Sequence, residues 1–248
     1  MQAGRGVLVR WLPRGLFILL VTLVLGSTTG NALDEVSGWL NLEYERLPWY
    51  TTRVTALLAY LALSGSVVYG LLLSTKILYG ISHRAVSYTL HGDLAGIGVA
   101  LALVHAAVLA LDRSMPYSLV ELLVPFAGPY RPLWVGIGQL TLGLSLVVLL
   151  SFYVRKRIGQ RTWRLVHYLS FVAFVGATAH GLMAGSDTSA TWAYLGYMSI
   201  ASLVLFLVTY RIILARGAAM ERATRQAATT AEARPRKATL APGQAEGP

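Results

Sequence analysis

The sequence predicts an all-α protein: an integral membrane bundle of about six transmembrane helices, with both termini in the cytoplasm. Of its 248 residues, 55% are hydrophobic and only 13% are charged, which is typical of a membrane protein rather than a soluble domain. Apolar runs long enough to cross a bilayer follow one another along the chain. The basic residues are concentrated in alternate connections, and this asymmetry predicts the orientation.

A basic segment, residues 1–14, precedes the first apolar run, which extends from Gly15 to about Ala32. Such a pattern is typical either of a retained first helix or of a cleaved secretory signal peptide. We favour retention, because the run is long for a signal core. Residues 33–53 combine acidic and aromatic residues, which favours a segment at the membrane interface.

The remaining spans are predicted at about 52–73, 88–111, 133–153, 163–184 and 191–213. The connection at 112–132 contains four prolines and an apolar stretch, SLVELLVPF, that we expect to lie along the membrane interface. Residues 214–248 form a basic tail, which we expect to be cytoplasmic and disordered, its first turns extending the last helix.

Charge sets the topology. With the N-terminus inside, seventeen of the 21 Lys and Arg residues fall on the cytoplasmic side, whereas seven of the 11 acidic residues fall outside. In this orientation the third and fifth spans are parallel. The basic residues lie at helix ends and in the tail, so the net charge of +10 indicates a membrane surface rather than nucleic acid.

Four of the five histidines fall in pairs on these two parallel spans. His91 and His105 are fourteen residues apart on the third span, and His167 and His180 are thirteen apart on the fifth. At ~1.5 Å per residue each pair extends about 20 Å along its helix, two thirds of a ~30 Å hydrocarbon core. His91 is thus expected level with His167 near the cytoplasmic face, and His105 level with His180 near the outer face.

A neutral imidazole nitrogen binds heme iron axially, and two imidazoles make a six-coordinate site suited to electron transfer. We therefore predict two hemes b, with His91, His105, His167 and His180 as iron ligands. The chain contains no cysteine, which excludes iron–sulfur clusters and covalent c-type attachment. The alternative from another class is a non-redox membrane transporter or scaffold with structural histidines.

Two geometric points stay open at this stage. Thirteen residues rotate an ideal helix by about 220°, so His167 and His180 share a face only if the helix is locally irregular; otherwise the hemes lie on different sides of it. Glycines near the histidines favour close approach either of a porphyrin or of another helix. They are Gly92, Gly96, Gly98, Gly176 and Gly181.

Weaker candidates surround the histidines. Trp163 is predicted to be an interfacial anchor, and His83 a residue of the cytoplasmic loop. Asp93 is either a hydrogen-bonding group or an acid favoured by the helix dipole. Several arginines are candidates for heme propionates or simple topology charges: Arg84, Arg155, Arg161 and Arg164 inside, and Arg113 and Arg131 outside.

The layout resembles the ferric-reductase-like transmembrane domain, the six-helix heme module of ferric reductases and NADPH oxidases. That family carries two histidines on its third helix and two on its fifth, at these spacings. The segment WRLVHYLSFVAFVGATAH also resembles the Trp-Arg-x-x-His motif of this family and of the heme-binding subunit of methionine-sulfoxide reductase systems. The likeness covers about residues 52–213. It implies that the bundle at 15–213 binds an inner heme through His91 and His167, and an outer heme through His105 and His180.

Full-length ferric reductases and oxidases continue into flavin and nicotinamide domains, whereas the residues after the last predicted span contain no Gly-rich phosphate loop. The resemblance therefore implies an oxidoreductase component of the cell membrane that needs a separate flavoprotein or quinol donor. Electrons would pass to an extracytoplasmic acceptor. The alternative within redox chemistry is a heme subunit that supplies electrons to an extracytoplasmic reductase.

Overall fold

The computed structural model describes residues 47–75, 77, 84–112 and 117–238, and within these residues every regular element is helical. The α-helices are α1 (Leu47–Thr75), α2 (Arg84–Leu109), α3 (Leu119–Leu123), α4 (Pro132–Ile158), α5 (Gln160–Ala184) and α6 (Thr191–Ala238). All but the short α3 are long and apolar enough to cross a membrane. The predicted all-α membrane bundle is therefore confirmed. The predicted first span at 15–32 lies outside the described residues, as does His83.

The helices pack as two hairpins. α1 runs along α2, and α4 runs along α5, while α6 packs mainly on α1. The tight joint between α4 and α5 is the single residue Gly159, whose φ of 81° lies in the region that glycine adopts without strain. α2 and α5, which carry the histidines, belong to different hairpins, and their backbones rarely approach each other closely.

A small apolar core joins α1, α5 and α6. Leu71, Val204 and Leu207 are almost fully buried, and Phe171 and Phe174 of α5 pack against them. In a soluble protein, burying one such side chain stabilises the fold by roughly 1.5–3 kcal/mol. In lipid the stabilisation comes from van der Waals packing instead. The residues of this core belong to α1, α5 and α6, so it packs α5 against those two helices and not against α2.

The connection between α2 and α4 is also ordered. Ser118 and Glu121 form a reciprocal capping box at the start of α3, and the Gln139 amide of α4 donates to the carbonyl oxygens of Glu121 and Leu122 at 2.7 and 2.9 Å. The side chain of Leu123 is 80% exposed. This exposure fits the expected position of SLVELLVPF along the membrane interface.

The last helix differs from its prediction. We expected a span at 191–213 whose first turns continue into an otherwise disordered tail, whereas α6 continues without a break to Ala238. Its 48 residues extend about 70 Å, more than twice the thickness of a hydrocarbon core. The reason is local: the tail is rich in Ala, Arg, Glu and Gln, which favour helix, and Arg225 pairs with Glu221 one turn away. Residues 239–248 lie outside the described part.

Candidate functional site

The structure brings the four histidines of α2 and α5 together as two facing ring pairs. The ring centroids of His91 and His167 are 6.0 Å apart, with the ring planes at 75°. Those of His105 and His180 are 6.2 Å apart, at 68°. His91 meets the earlier histidine of α5 and His105 meets the later one, so the two helices run in the same direction, as the charge distribution predicted.

The distance between the two rings of each pair matches the distance expected when both rings bind the same metal ion. A metal about 2 Å from a nitrogen of each ring, with roughly 1 Å more from nitrogen to ring centre, separates two ring centroids by about 6 Å. Both pairs have this spacing, and the pairs are a further thirteen to fourteen residues apart along their helices. The rings, rather than the backbones, span the space between α2 and α5.

Three of the four rings are oriented in the same way, by a backbone carbonyl oxygen close to Nδ1. The Nδ1–oxygen pairs are His91 with Ser66 at 2.8 Å, His105 with Thr52 at 3.0 Å, and His180 with Trp134 at 2.9 Å. A carbonyl oxygen only accepts, so Nδ1 carries the proton and donates. The lone pair of Nε2 is then free to bind a metal, which is the usual arrangement around ligating histidines.

His167 is oriented differently. Its ring stacks on the indole of Trp163, one helical turn earlier, with centroids 5.2 Å apart and planes 24° from parallel. The Nε1 atom of Trp163 is buried and has no hydrogen-bond partner among the described residues. Arg211 of α6 lies near this end of α5, its guanidinium carbon 5.9 Å from the ring centroid of Tyr168. The His91–His167 pair therefore combines one carbonyl-bonded ring with one stacked ring.

α5 is a continuous α-helix from Gln160 to Ala184, so a local irregularity does not bring His167 and His180 to one face. Both rings nevertheless meet a ring of α2. His180 is held from α4, through the carbonyl oxygen of Trp134, whereas its partner His105 is held from α1.

Close approach to the histidines depends on two glycines that sequence reasoning did not select. A Cβ atom added at Gly138 of α4 would lie 2.5 Å from Nδ1 of His180, and one at Gly70 of α1 would lie 3.2 Å from Cε1 of His91. Contacts below 3.0 Å force a neighbour to move. Gly70 therefore allows α1 to pack closely against the ring of His91, and Gly138 allows α4 to pack closely against the ring of His180.

The predicted glycines divide into two groups. Gly98 packs against Leu63, Gly176 against Thr141, and Gly181 against the ring and hydroxyl of Tyr197, so these three serve helix packing. A Cβ atom at Gly92 or Gly96 would meet nothing within 4 Å. Open space beside these two glycines is compatible with either interpretation.

None of the predicted arginines whose side chains the structure describes forms a hydrogen bond or ion pair with a histidine. Arg155 lies over the ring of Phe152 at 3.7 Å, and Arg161 and Arg164 are exposed. Arg131 contacts the carbonyl oxygen of Met183. The side chain of Arg84 and all of Arg113 lie outside the described residues. Asp93, in α2, is partly buried.

The C-terminal end of α5 is closed by the loop before α4. The Tyr130 hydroxyl donates to the carbonyl oxygen of Ala184 at 3.2 Å, beside the Arg131 contact to Met183. Both bonds satisfy carbonyls that a helix end leaves without partners. A cavity of about 510 Å³ opens here, lined by Arg131, Pro132, Leu133, Trp134 and Met183. Trp134, one of the lining residues, also accepts the hydrogen bond from His180 through its carbonyl oxygen.

Comparison of the chain with protein-family models, with curated proteins and with solved structures finds no match.

Proposed function

We propose that this protein is a di-heme b-type membrane electron-transfer protein of the ferric-reductase-like kind. The two histidine pairs carry this proposal. In each pair a ring of α2 faces a ring of α5, and the ring centroids are 6.0 or 6.2 Å apart. This is the distance expected when both imidazoles bind one heme iron. His91 and His167 hold the inner heme, and His105 and His180 hold the outer one. Electrons enter from a flavoprotein on the cytoplasmic side or from a quinol, and leave to an extracytoplasmic acceptor.

The donor atoms support heme rather than a bare metal ion. No group of three or more His, Cys, Asp or Glu side chains comes together among the described residues. Structural zinc takes four protein ligands and catalytic zinc usually three, whereas a six-coordinate heme needs only two imidazoles, since the porphyrin supplies the other four nitrogens. Two opposed imidazoles at each level match the second donor set.

A bound heme supplies a one-electron carrier with its own redox chemistry. The residues of the chain hold and orient the ligands. The carbonyls of Ser66, Thr52 and Trp134 fix the ring orientation and raise the basicity of three imidazoles. The two levels are about 20 Å apart along the helices, so they lie in series across the bilayer.

The bilayer is the environment that five long apolar helices require. The charge distribution favours an orientation with the His91–His167 pair on the cytoplasmic side. The cell membrane is the location that the resemblance implies. The basic cluster Arg155, Lys156 and Arg157 occupies the last turn of α4, just before α5 begins, and basic clusters of this kind are retained inside. Electron flow is therefore proposed to run from the α5 N-terminus toward its C-terminus.

The test is the heme content of the purified chain. We expect two noncovalent hemes b per chain, extractable by acid acetone, with a reducible b-type spectrum. Replacing His105 or His180 with Ala is expected to remove one and the same spectral component, and replacing His91 or His167 the other. His83→Ala, at a histidine outside the four, is the matched control and should remove neither.

Two results would contradict this function. A preparation without heme would favour the non-redox transporter or scaffold. Loss of the same component in His91→Ala and His105→Ala would place both ligands of one heme on a single helix, against the pairing proposed here.

A further inference from the structure

An ion pair ties the N-terminal end of α1 to the turn that follows α5. Nε of Arg53 donates to Oδ2 of Asp187 at 2.8 Å, and a terminal nitrogen of the same guanidinium contacts Oδ1. Asp187 lies in the 3₁₀ turn Ser186–Ser189. The two side chains are only 31% and 15% exposed. Such a two-point contact has a defined geometry, unlike a single-point surface ion pair.

The guanidinium is held from a second side. Its central carbon lies 4.0 Å from the ring centroid of Trp49, one turn earlier in α1. A cation over an indole ring is attracted by about 0.5–1 kcal/mol at exposed sites and more where water is excluded. Arg53 is therefore fixed between an aromatic ring of its own helix and a carboxylate of another element.

Both partners lie next to the groups that hold the outer histidine pair. Arg53 directly follows Thr52, whose carbonyl oxygen accepts the hydrogen bond from His105. Asp187 lies seven residues after His180, separated from it by the last turn of α5, Gly185 and Ser186. The ion pair thus connects the support of one ring to the segment that follows the other. A second ion pair, Glu221–Arg225, lies within α6 and connects no two elements.

We propose that Arg53 and Asp187 are positioning residues for the outer heme, acting through the carbonyl of Thr52. Their ion pair holds the start of α1 in register with the end of α5, so that Thr52 stays within hydrogen-bond distance of Nδ1 of His105. This role presupposes the bis-histidine heme site proposed above. A hydrogen bond to Nδ1 makes the imidazole a stronger donor to iron, which stabilises the oxidised state and lowers the midpoint potential.

The experiment uses the full chain with its hemes bound, in redox titration and in low-temperature paramagnetic resonance of the oxidised state. In Arg53→Gln and in Asp187→Asn we expect the outer heme to shift to higher potential and its low-spin signal to change, with the inner heme unaltered. The double variant should shift no further than Arg53→Gln, because that change alone already removes the ion pair with Asp187. Arg53→Lys, which keeps the charge but not the two-point contact, should fall between wild type and Arg53→Gln.

Arg225→Gln is the matched control, since it also removes an Arg–carboxylate pair but far from either histidine level; neither heme should change. An unaltered outer heme in both Arg53→Gln and Asp187→Asn would overturn the positioning role, and so would an equal shift of both hemes or additive shifts in the double variant. Should Arg53→Gln fail to fold, Asp187→Asn and Arg53→Lys give the same decision. Two hemes in wild type with no outer-heme effect refute only the positioning role, whereas no heme in wild type refutes the proposed function as well.

Discussion

The indole ring of Trp163 and the imidazole ring of His167 stack nearly parallel, with their centroids 5.2 Å apart. Spacing of four residues on one helix brings such rings together, since they lie one turn apart on the same face. We predicted Trp163 as an interfacial anchor. The stack gives it a second contact, to the one proposed iron ligand whose ring is oriented by an aromatic side chain instead of a carbonyl.

We therefore expect Trp163→Ala to affect the inner heme alone. An aromatic stack contributes about 0.5–1.5 kcal/mol beyond its buried area, so its loss should weaken retention of the inner heme roughly twofold to tenfold. Trp163→Phe, which retains a ring, should keep most of it. Heme loss to an apo-globin acceptor, followed by absorption spectroscopy, measures the effect. Trp192→Ala is the control, because that side chain is 62% exposed and lies on another helix. Equal retention in Trp163→Ala and wild type would show that the residue is only an anchor.

A second prediction concerns the packing of α4 against His180. A Cβ atom in Gly138→Ala would lie 2.5 Å from Nδ1 of a ring already hydrogen-bonded to the Trp134 carbonyl, so the ring must leave its position. We expect this variant to lose the outer heme's spectral component and keep the inner one. Gly143→Ala, on the same helix with nothing within 4 Å, should keep both components. The free energy of unfolding of Gly143→Ala should also rise by about 0.5–1 kcal/mol, because alanine is more favourable than glycine inside a helix. Two intact components in Gly138→Ala would contradict the observed contact.

The third prediction concerns the electron donor. The proposed donor is a separate flavoprotein or a quinol, and residues 214–248 show no Gly-rich phosphate loop of the kind that binds a dinucleotide. Dithionite should reduce both hemes of the purified chain within a spectroscopic measurement, whereas NADPH alone should not. Addition of a flavoprotein reductase is the positive control. Rapid reduction by NADPH without it would contradict the need for a separate donor.

The fourth prediction is a pH dependence at α3, outside the membrane spans. Hydrogen bonds from the backbone and side chain of Ser118 lower the pKa of Glu121 below its ordinary value of 4.5. A carboxyl whose folded-state pKa is depressed stabilises the fold above its unfolded pKa, and this contribution is lost as the pH falls through the folded-state pKa. Amide hydrogen exchange at 119–123, corrected for intrinsic rates, should therefore accelerate below pH 4.5. In Ser118→Ala the acceleration should be smaller but still present, because the backbone N–H of residue 118, the larger cause of the lowered pKa, still donates to Glu121. In Glu121→Gln it should be absent, because no carboxyl remains to titrate.

Much of the fold was legible in the sequence because hydropathy and helix length are properties of contiguous residues. The five long helices coincide with five of the predicted spans, although α1 begins at Leu47 rather than at about 52. The predicted α6 was too short. We took the polar composition of the tail as a sign of disorder, whereas its many alanines favour helix. The proposed heme function, by contrast, stays a prediction until the cofactor is measured.

By itself, the sequence determined that this is a multi-helix membrane protein and that His91 lies level with His167, and His105 with His180. Charge asymmetry makes α2 and α5 parallel, and spacing along a helix sets depth, so both follow from local information. Only the tertiary structure decided which groups orient these rings. Ser66, Thr52 and Trp134 act through backbone carbonyl oxygens. Every residue has such a carbonyl, so the amino-acid sequence does not show which ones contact the rings. Arg53 and Asp187 are 134 residues apart, and only the packing of α1 against the end of α5 makes them partners.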